Sequence, residues 1–169
     1  MTNHLIEILL ALSRGGVKYL VCGGVALVLH GVERMTMDID LSVSLDEDNL
    51  KRLLQIMKEL RLVPRVPVPA ESLLDPVKRK LMIEEKGALV FTFLDTENPF
   101  RQIDIFLGNQ ALYKDLIPNA VIVEIQGEAV PVACPADLIK MKQAVAPPRS
   151  KDRWDIEELT RIENERKKG

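Results

Sequence analysis

Residues 17–44 read VKYLVCGGVALVLHGVERMTMDIDLSVS, and the fold turns on this stretch. Val17 to Cys22 is a compact apolar run rich in β-formers, which predicts a buried strand. Gly23 and Gly24 stand at its end, and Val25 to His30 predicts a short helix closed by Gly31. Met37 to Ser44 then alternates, with Met37, Ile39, Leu41 and Val43 on one side and Asp38, Asp40, Ser42 and Ser44 on the other. That period of two predicts a half-buried strand. Side chains two apart on a strand share a face and lie about 7 Å apart. Asp38 and Asp40 can therefore converge on a divalent cation.

Outward from this stretch, residues 4–14 carry Leu5, Ile6, Leu9, Leu10 and Leu12 at helical spacing, and Gly15–Gly16 stop the helix. Asp46 or Asp48 can cap the next helix, whose apolar face is Leu50, Leu53, Leu54, Met57 and Leu60. Pro64, Pro67 and Pro69 predict an extended loop, and Asp75 to Glu85 a short helix with Pro76 in its first turn. Two strands are expected at Ala88–Leu94 and Gln102–Leu107. A hairpin is expected from Val121–Ile125 and Ala129–Ala133 across Gln126–Gly127. Pro135–Val145 and Asp152–Glu165 read as helices. The order predicts an α/β (α+β) fold, a mixed sheet flanked by helices with helices at the C-terminal end. Residues 1–134 read as the core with its N-terminal helix and 135–169 as a helical extension packed on it, one domain overall.

Asp104 sits between Ile103 and Ile105 and so faces away from them. If its strand lies beside the Asp38–Asp40 strand, three carboxylates meet. Carboxylate oxygens suit Mg²⁺, which completes its shell with water and phosphate. Gly23 and Gly24, lacking Cβ atoms, let a phosphate approach the backbone where a helix begins. A phosphate cradle beside a carboxylate cluster is what a metal–triphosphate needs.

Gly23-Gly24-Val25-Ala26-Leu27, His30-Gly31, Arg34, Thr36 and Asp38-Ile39-Asp40-Leu41 together resemble the signature of the nucleotidyltransferase superfamily, closest to AbiEii-type toxins and small bacterial nucleotidyltransferases. Pro135-Ala136-Asp137-Leu138-Ile139 with Lys140 and Lys142, then Arg149, Lys151-Asp152 and Asp155-Ile156, resemble the ending of that group. The resemblance implies a Mg²⁺-dependent enzyme that moves a nucleoside monophosphate from an NTP to a hydroxyl acceptor by two-metal catalysis. By position it assigns both metals to Asp38 and Asp40 and one to Asp104. It gives phosphate contacts to Gly23, Gly24, Arg34 and Lys140. The acceptor is a tRNA end, a protein or a small molecule, and an antitoxin-like partner is implied. Two other readings stay open: a silent nucleotide-binding or regulatory member of the fold, and a toxin–antitoxin component controlled by its partner. About 35 residues follow the last expected strand, which leaves either a small acceptor or a cleft completed by a second protein. Segment 62–80 matches nothing in the resemblance.

Other residues read more plainly. His30, ending a short helix, predicts a structural hydrogen bond. Lys140 and Lys142 point to different sides of a helix, with Lys140 the better match. Asp152 and Asp155 predict an ion-pair network, with Lys151 or Arg153 as partners, and Trp154 a core or edge anchor. The tail with Arg161, Arg166, Lys167 and Lys168 reads as solvated. Formal net charge is −2, which gives no general attraction for nucleic acid. Cys22 and Cys134 form no metal-ligand pattern and read as buried, reduced thiols. Leu5–Leu12 is too short for a membrane span, so a cytoplasmic protein with no membrane partner is expected.

Overall fold

Ile39, Leu41 and Val43 are the inward residues of the central acidic strand, and all three are buried. The computed structural model describes residues 3–169, Gln110 by its backbone alone. In chain order the elements are α1 (Asn3–Arg14), β1 (Tyr19–Cys22), α2 (Gly23–Leu29), β2 (Asp38–Val43), α3 (Glu47–Glu59), β3 (Val63–Pro64) and α4 (Pro76–Lys86). They continue with β4 (Val90–Leu94), β5 (Gln102–Phe106), α5 (Tyr113–Leu116), β6 (Val121–Ile125), β7 (Glu128–Val132), α6 (Pro135–Gln143) and α7 (Ser150–Lys168). Short 3₁₀ turns lie at Ala70–Leu74, Asn109–Ala111 and Ile117–Asn119.

The seven strands form one mixed sheet in the order β3-β4-β5-β2-β1-β7-β6. β1 runs antiparallel to β2, and β2 parallel to β5. A parallel neighbour must be reached by a crossover, and the segment carrying α3, β3, α4 and β4 supplies it between β2 and β5. One face of the sheet buries Tyr19, Val21, Ile39, Leu41, Phe91, Phe93, Ile103 and Ile105 in a single cluster with Leu5, Ile8, Leu9 and Leu12 of α1 and Leu50 and Leu53 of α3. At about 2 kcal/mol for each fully buried large apolar side chain, this face dominates the stability of the sheet. Asp46 caps α3 by accepting from the Asn49 amide.

The sequence reading and the structure differ at four places. The Pro64 region is an edge strand rather than a loop, since Val63 and Pro64 pair with Leu94 and Phe93. Pro64 is tolerated because an edge strand needs no donor on its outer side. Ser42 is fully buried on the polar side of β2, where its hydroxyl donates to the Ala111 carbonyl. Trp154 is 42% exposed, so it anchors no core, and Leu159 is the apolar residue α7 buries. Cys134 is only partly buried, unlike Cys22. Among the described residues no helix is long and apolar enough to cross a membrane.

Candidate active site

β2 and β5 are in register with Asp38 opposite Gln102 and Asp40 opposite Asp104. Paired residues of neighbouring strands point to the same face, so Asp38, Asp40 and Asp104 lie together on the side of the sheet opposite Ile39 and Ile103. Asp104 shares a hydrogen bond with Asp40 and accepts another from Thr92 Oγ1 at 2.6 Å. Burial, then the charges of Asp104 and Asp38, push the Asp40 carboxyl up to about 7. Burial and the Asp104 charge raise Asp38 as well. Such a cluster holds carboxylates that repel one another until a cation joins them.

Among the described residues no group of three or more His, Cys, Asp or Glu side chains is placed to hold a metal ion by itself, the three carboxylates included. Mg²⁺ takes only one or two carboxylates directly and fills its shell with waters and phosphate oxygens, so a donor set of carboxylates beside a phosphate cradle is chemically of the kind it prefers.

Gly23 is required twice over. Its φ is +61°, and a Cβ there would lie 1.9 Å from Asp40 Oδ2. At Gly24 a Cβ would lie 2.6 Å from Thr36 Oγ1. The glycine pair thus lets the β1–α2 backbone press against the acidic strand and the segment that leads into it.

Beside the carboxylates stands a group of cations. A cleft of about 380 Å³ is lined by Gly23, Gly24, Asp38 and Asp40 together with the cations Arg34, Lys142, Arg149 and Lys151. Two buried carboxylates of α7 hold three of these cations. Asp155 Oδ2 accepts from Arg34 at 2.5 Å and pairs with Lys142 at 2.7 Å. Asp152 takes Arg149 through both oxygens, at 2.7 and 3.1 Å, and Lys142 at 3.5 Å. The Arg149 hydrogen bond is the main reason the Asp152 carboxyl falls to about 2. Asp155 Oδ1 is buried without a hydrogen-bond partner.

Arg34 lines the cleft as the sequence reading places it, but Lys140 is exposed and does not. Lys142 takes that place, because the side of α6 that meets α7 carries Lys142 and leaves Lys140 in solvent. Asp152 and Asp155 do form an ion-pair network, with Arg149, Lys142 and Arg34 as partners rather than Lys151 or Arg153. Sequence reasoning gave no site role to Arg149 or Lys151, though their place beside the Lys151-Asp152 pair was the available signal. His30 hydrogen-bonds the Ala133 carbonyl at 2.8 Å and is structural. Arg161 is paired with Glu158 and Glu165, and Arg166 with Glu163.

Several solved structures share this fold. The lincosamide antibiotic adenylyltransferase LnuA, solved with lincomycin bound, superposes with a TM-score of 0.63 at 15% identity, covering 96% of this chain and 98% of that one. The antibiotic-resistance factor ANT(2″)-Ia gives 0.57 at 14% identity, over 98% of this chain and 90% of its own. An antigenic nucleotidyltransferase-like protein from Paracoccidioides brasiliensis gives 0.56 at 16% identity, over 94% and 75%. At these identities the likeness is one of fold. No curated protein sequence matches the chain. The family model for the nucleotidyl transferase AbiEii toxin of type IV toxin–antitoxin systems matches residues 5–168, so the chain belongs to that family and is a nucleotidyltransferase.

Proposed function

We propose that the chain transfers a nucleoside monophosphate from an NTP to a hydroxyl acceptor, with Asp38, Asp40 and Asp104 as Mg²⁺ ligands. The observation that carries this reading is the cleft itself, whose lining brings two of the carboxylates, Asp38 and Asp40, together with four cations. A triphosphate bound there meets a cation site at the carboxylates and charge-assisted donors at Arg34, Lys142, Arg149 and Lys151. Bound Mg²⁺ would lower the pKa of the attacking hydroxyl and neutralise the leaving pyrophosphate.

This chain's own residues do the rest. Gly23 and Gly24 bring backbone to the phosphates without a Cβ in the way. Arg34 and Lys142, held by Asp155, fix the triphosphate in line with the incoming hydroxyl. The hydroxyl oxygen bonds to the α-phosphorus, the bond to the β-phosphate oxygen breaks, and pyrophosphate leaves. The hydroxyl proton passes to Asp104, which stands beside Asp40 on the neighbouring strand. Residues 135–169 act with the core as one unit, because α6 and α7 supply the cationic wall.

The family pairs toxin with antitoxin, and we assign an antitoxin-like protein as the regulator of this chain. The enzyme reading is tested by incubation with each α-labelled NTP, Mg²⁺, and separate pools of RNA, protein and small hydroxyl compounds. Label should move to one pool, and Asp38→Ala with Asp40→Ala should abolish the transfer. Absence of both label transfer and NTP binding would remove the reading. Growth arrest on expression, lost in the same double variant, would tie the activity to toxicity.

A further inference from the structure

Beside the carboxylate cleft lies a second hollow of different character. It measures about 460 Å³ and is lined largely by Val28, Met35, Met37 and Phe100, with His4 at its rim. Large apolar side chains are normally hidden, yet Met35 is 88%, Phe100 56% and Met37 45% exposed here. Exposed apolar residues gathered at one place mark a binding surface. The two hollows share Arg34, Met35, Thr36 and Met37, so they meet at the segment that leads into β2. Met37 precedes Asp38, and Phe100 lies two residues before Gln102, the register partner of Asp38. The groove therefore lies at the Asp38 end of β2, next to the start of the strand that carries Asp104.

We propose that this groove seats the acceptor, and that the acceptor is a small hydroxyl-bearing molecule with an apolar body. The proposal rests on the nucleotidyl-transfer reading and deepens it. Its volume suits a small molecule. Methionine side chains adapt their shape to an irregular apolar partner, and Phe100 offers a ring face to stack on.

Charge speaks against a phosphate-bearing polymer. His4 also lines a polar hollow with Glu7, Glu59, Asp95, Glu97, Arg61 and Arg101. Arg101 is already paired with Glu7 and Asp95. Four carboxylates against two cations repel a nucleic-acid backbone rather than neutralise it. In the transfer step the acceptor's hydroxyl oxygen forms the new bond to the α-phosphorus, its proton leaves to Asp104, and pyrophosphate departs with the electrons of the broken bond.

The test uses the full chain labelled with ¹³C at the methionine methyls, loaded with Mg²⁺ and the non-cleavable analogue α,β-methylene-ATP. 2-Phenylethanol serves as the small-alcohol probe and a ten-nucleotide single-stranded RNA as the polymer probe. The alcohol should shift the Met35 and Met37 methyls, and Phe100→Ala should weaken it about tenfold, the effect of losing roughly half of a buried ring. Affinity for the analogue should stay within twofold in Phe100→Ala, and its thermal midpoint should match the parent's. RNA shifting those methyls while the alcohol leaves them still would overturn the proposal. So would an equal loss of analogue binding in Phe100→Ala, which would put the nucleobase in the groove. Analogue binding with methyls silent to the alcohol sinks this proposal alone. Failure of the unaltered protein to bind the α,β-methylene analogue of any of the four NTPs sinks the underlying reading with it.

Discussion

Asp40→Asn should make the ligand-free protein more stable at pH 8 while destroying its site. Asp40 is held at about 7, against an ordinary value of 3.8, by burial and by Asp104 and Asp38. Between those two values the folded state binds more proton than the unfolded state. Stability of the metal-free protein therefore falls as pH rises through that window and levels off above about 7. Three units at about 1.4 kcal/mol each set a ceiling of roughly 4 kcal/mol on the cost at pH 8. An amide in place of the carboxylate escapes the charge penalty but loses part of the Asp104 hydrogen bond, which leaves a gain of about 2 kcal/mol. For a chain of 169 residues that is a rise of roughly 4–8 °C in Tm. Thermal unfolding followed by circular dichroism in EDTA at pH 4.5 and pH 8 reads the effect, which should shrink strongly at the lower pH. Mg²⁺ with an NTP should then raise the Tm of the parent and leave the variant unmoved. A variant no more stable than the parent at pH 8, or one shifted equally at both pH values, would refute the claim that partial burial and the neighbouring carboxylates oppose the Asp40 charge.

Three further outcomes follow from the same geometry. Gly23→Ala places a methyl 1.9 Å from Asp40 Oδ2 at a φ of +61°, so transfer should fall at least about a hundredfold and stability by about 1–3 kcal/mol, read by label transfer and urea unfolding. Lys142→Met should weaken NTP binding about tenfold or more by calorimetry, whereas Lys140→Met should change it less than twofold, because only the first lines the cleft. Asp155→Ala removes the shared partner of Arg34 and Lys142 and should cost about 3 kcal/mol in urea unfolding as well as NTP affinity.

The acidic row was legible in the sequence because its geometry is local. A strand has a fixed period of two, so Asp38 and Asp40 had to share a face, and Ile103 and Ile105 had to turn Asp104 from the core. That β2 and β5 are neighbours is a tertiary fact, and the resemblance supplied the expectation rather than the pattern. The choice between Lys140 and Lys142 was not legible. Both lie on one short helix, and which one faces inward depends on where α7 packs. β3 escaped notice because it is two residues long and contains Pro64, and α5 because four residues carry no period. Arg149 and Lys151 were missed as site residues because α7 begins at Ser150 and its first turn turns them toward a cleft built by other elements.

What fixes the width of the cleft is an ion pair rather than the sheet. The carboxylate wall belongs to β2 and β5, whose spacing is set by main-chain hydrogen bonds. The cationic wall belongs to the segment before β2 and to α6 and α7, and nothing in the sheet's geometry dictates where those helices lie. Asp155 supplies that dictation. It is fully buried, and one of its oxygens takes both Arg34, from a segment more than a hundred residues earlier, and Lys142 of α6. A buried carboxylate with two cations leaves positive charge to spare, and that surplus lines the same cleft as Asp38 and Asp40. On the proposed reading an arriving triphosphate would find donors already oriented, with the ordering cost met during folding.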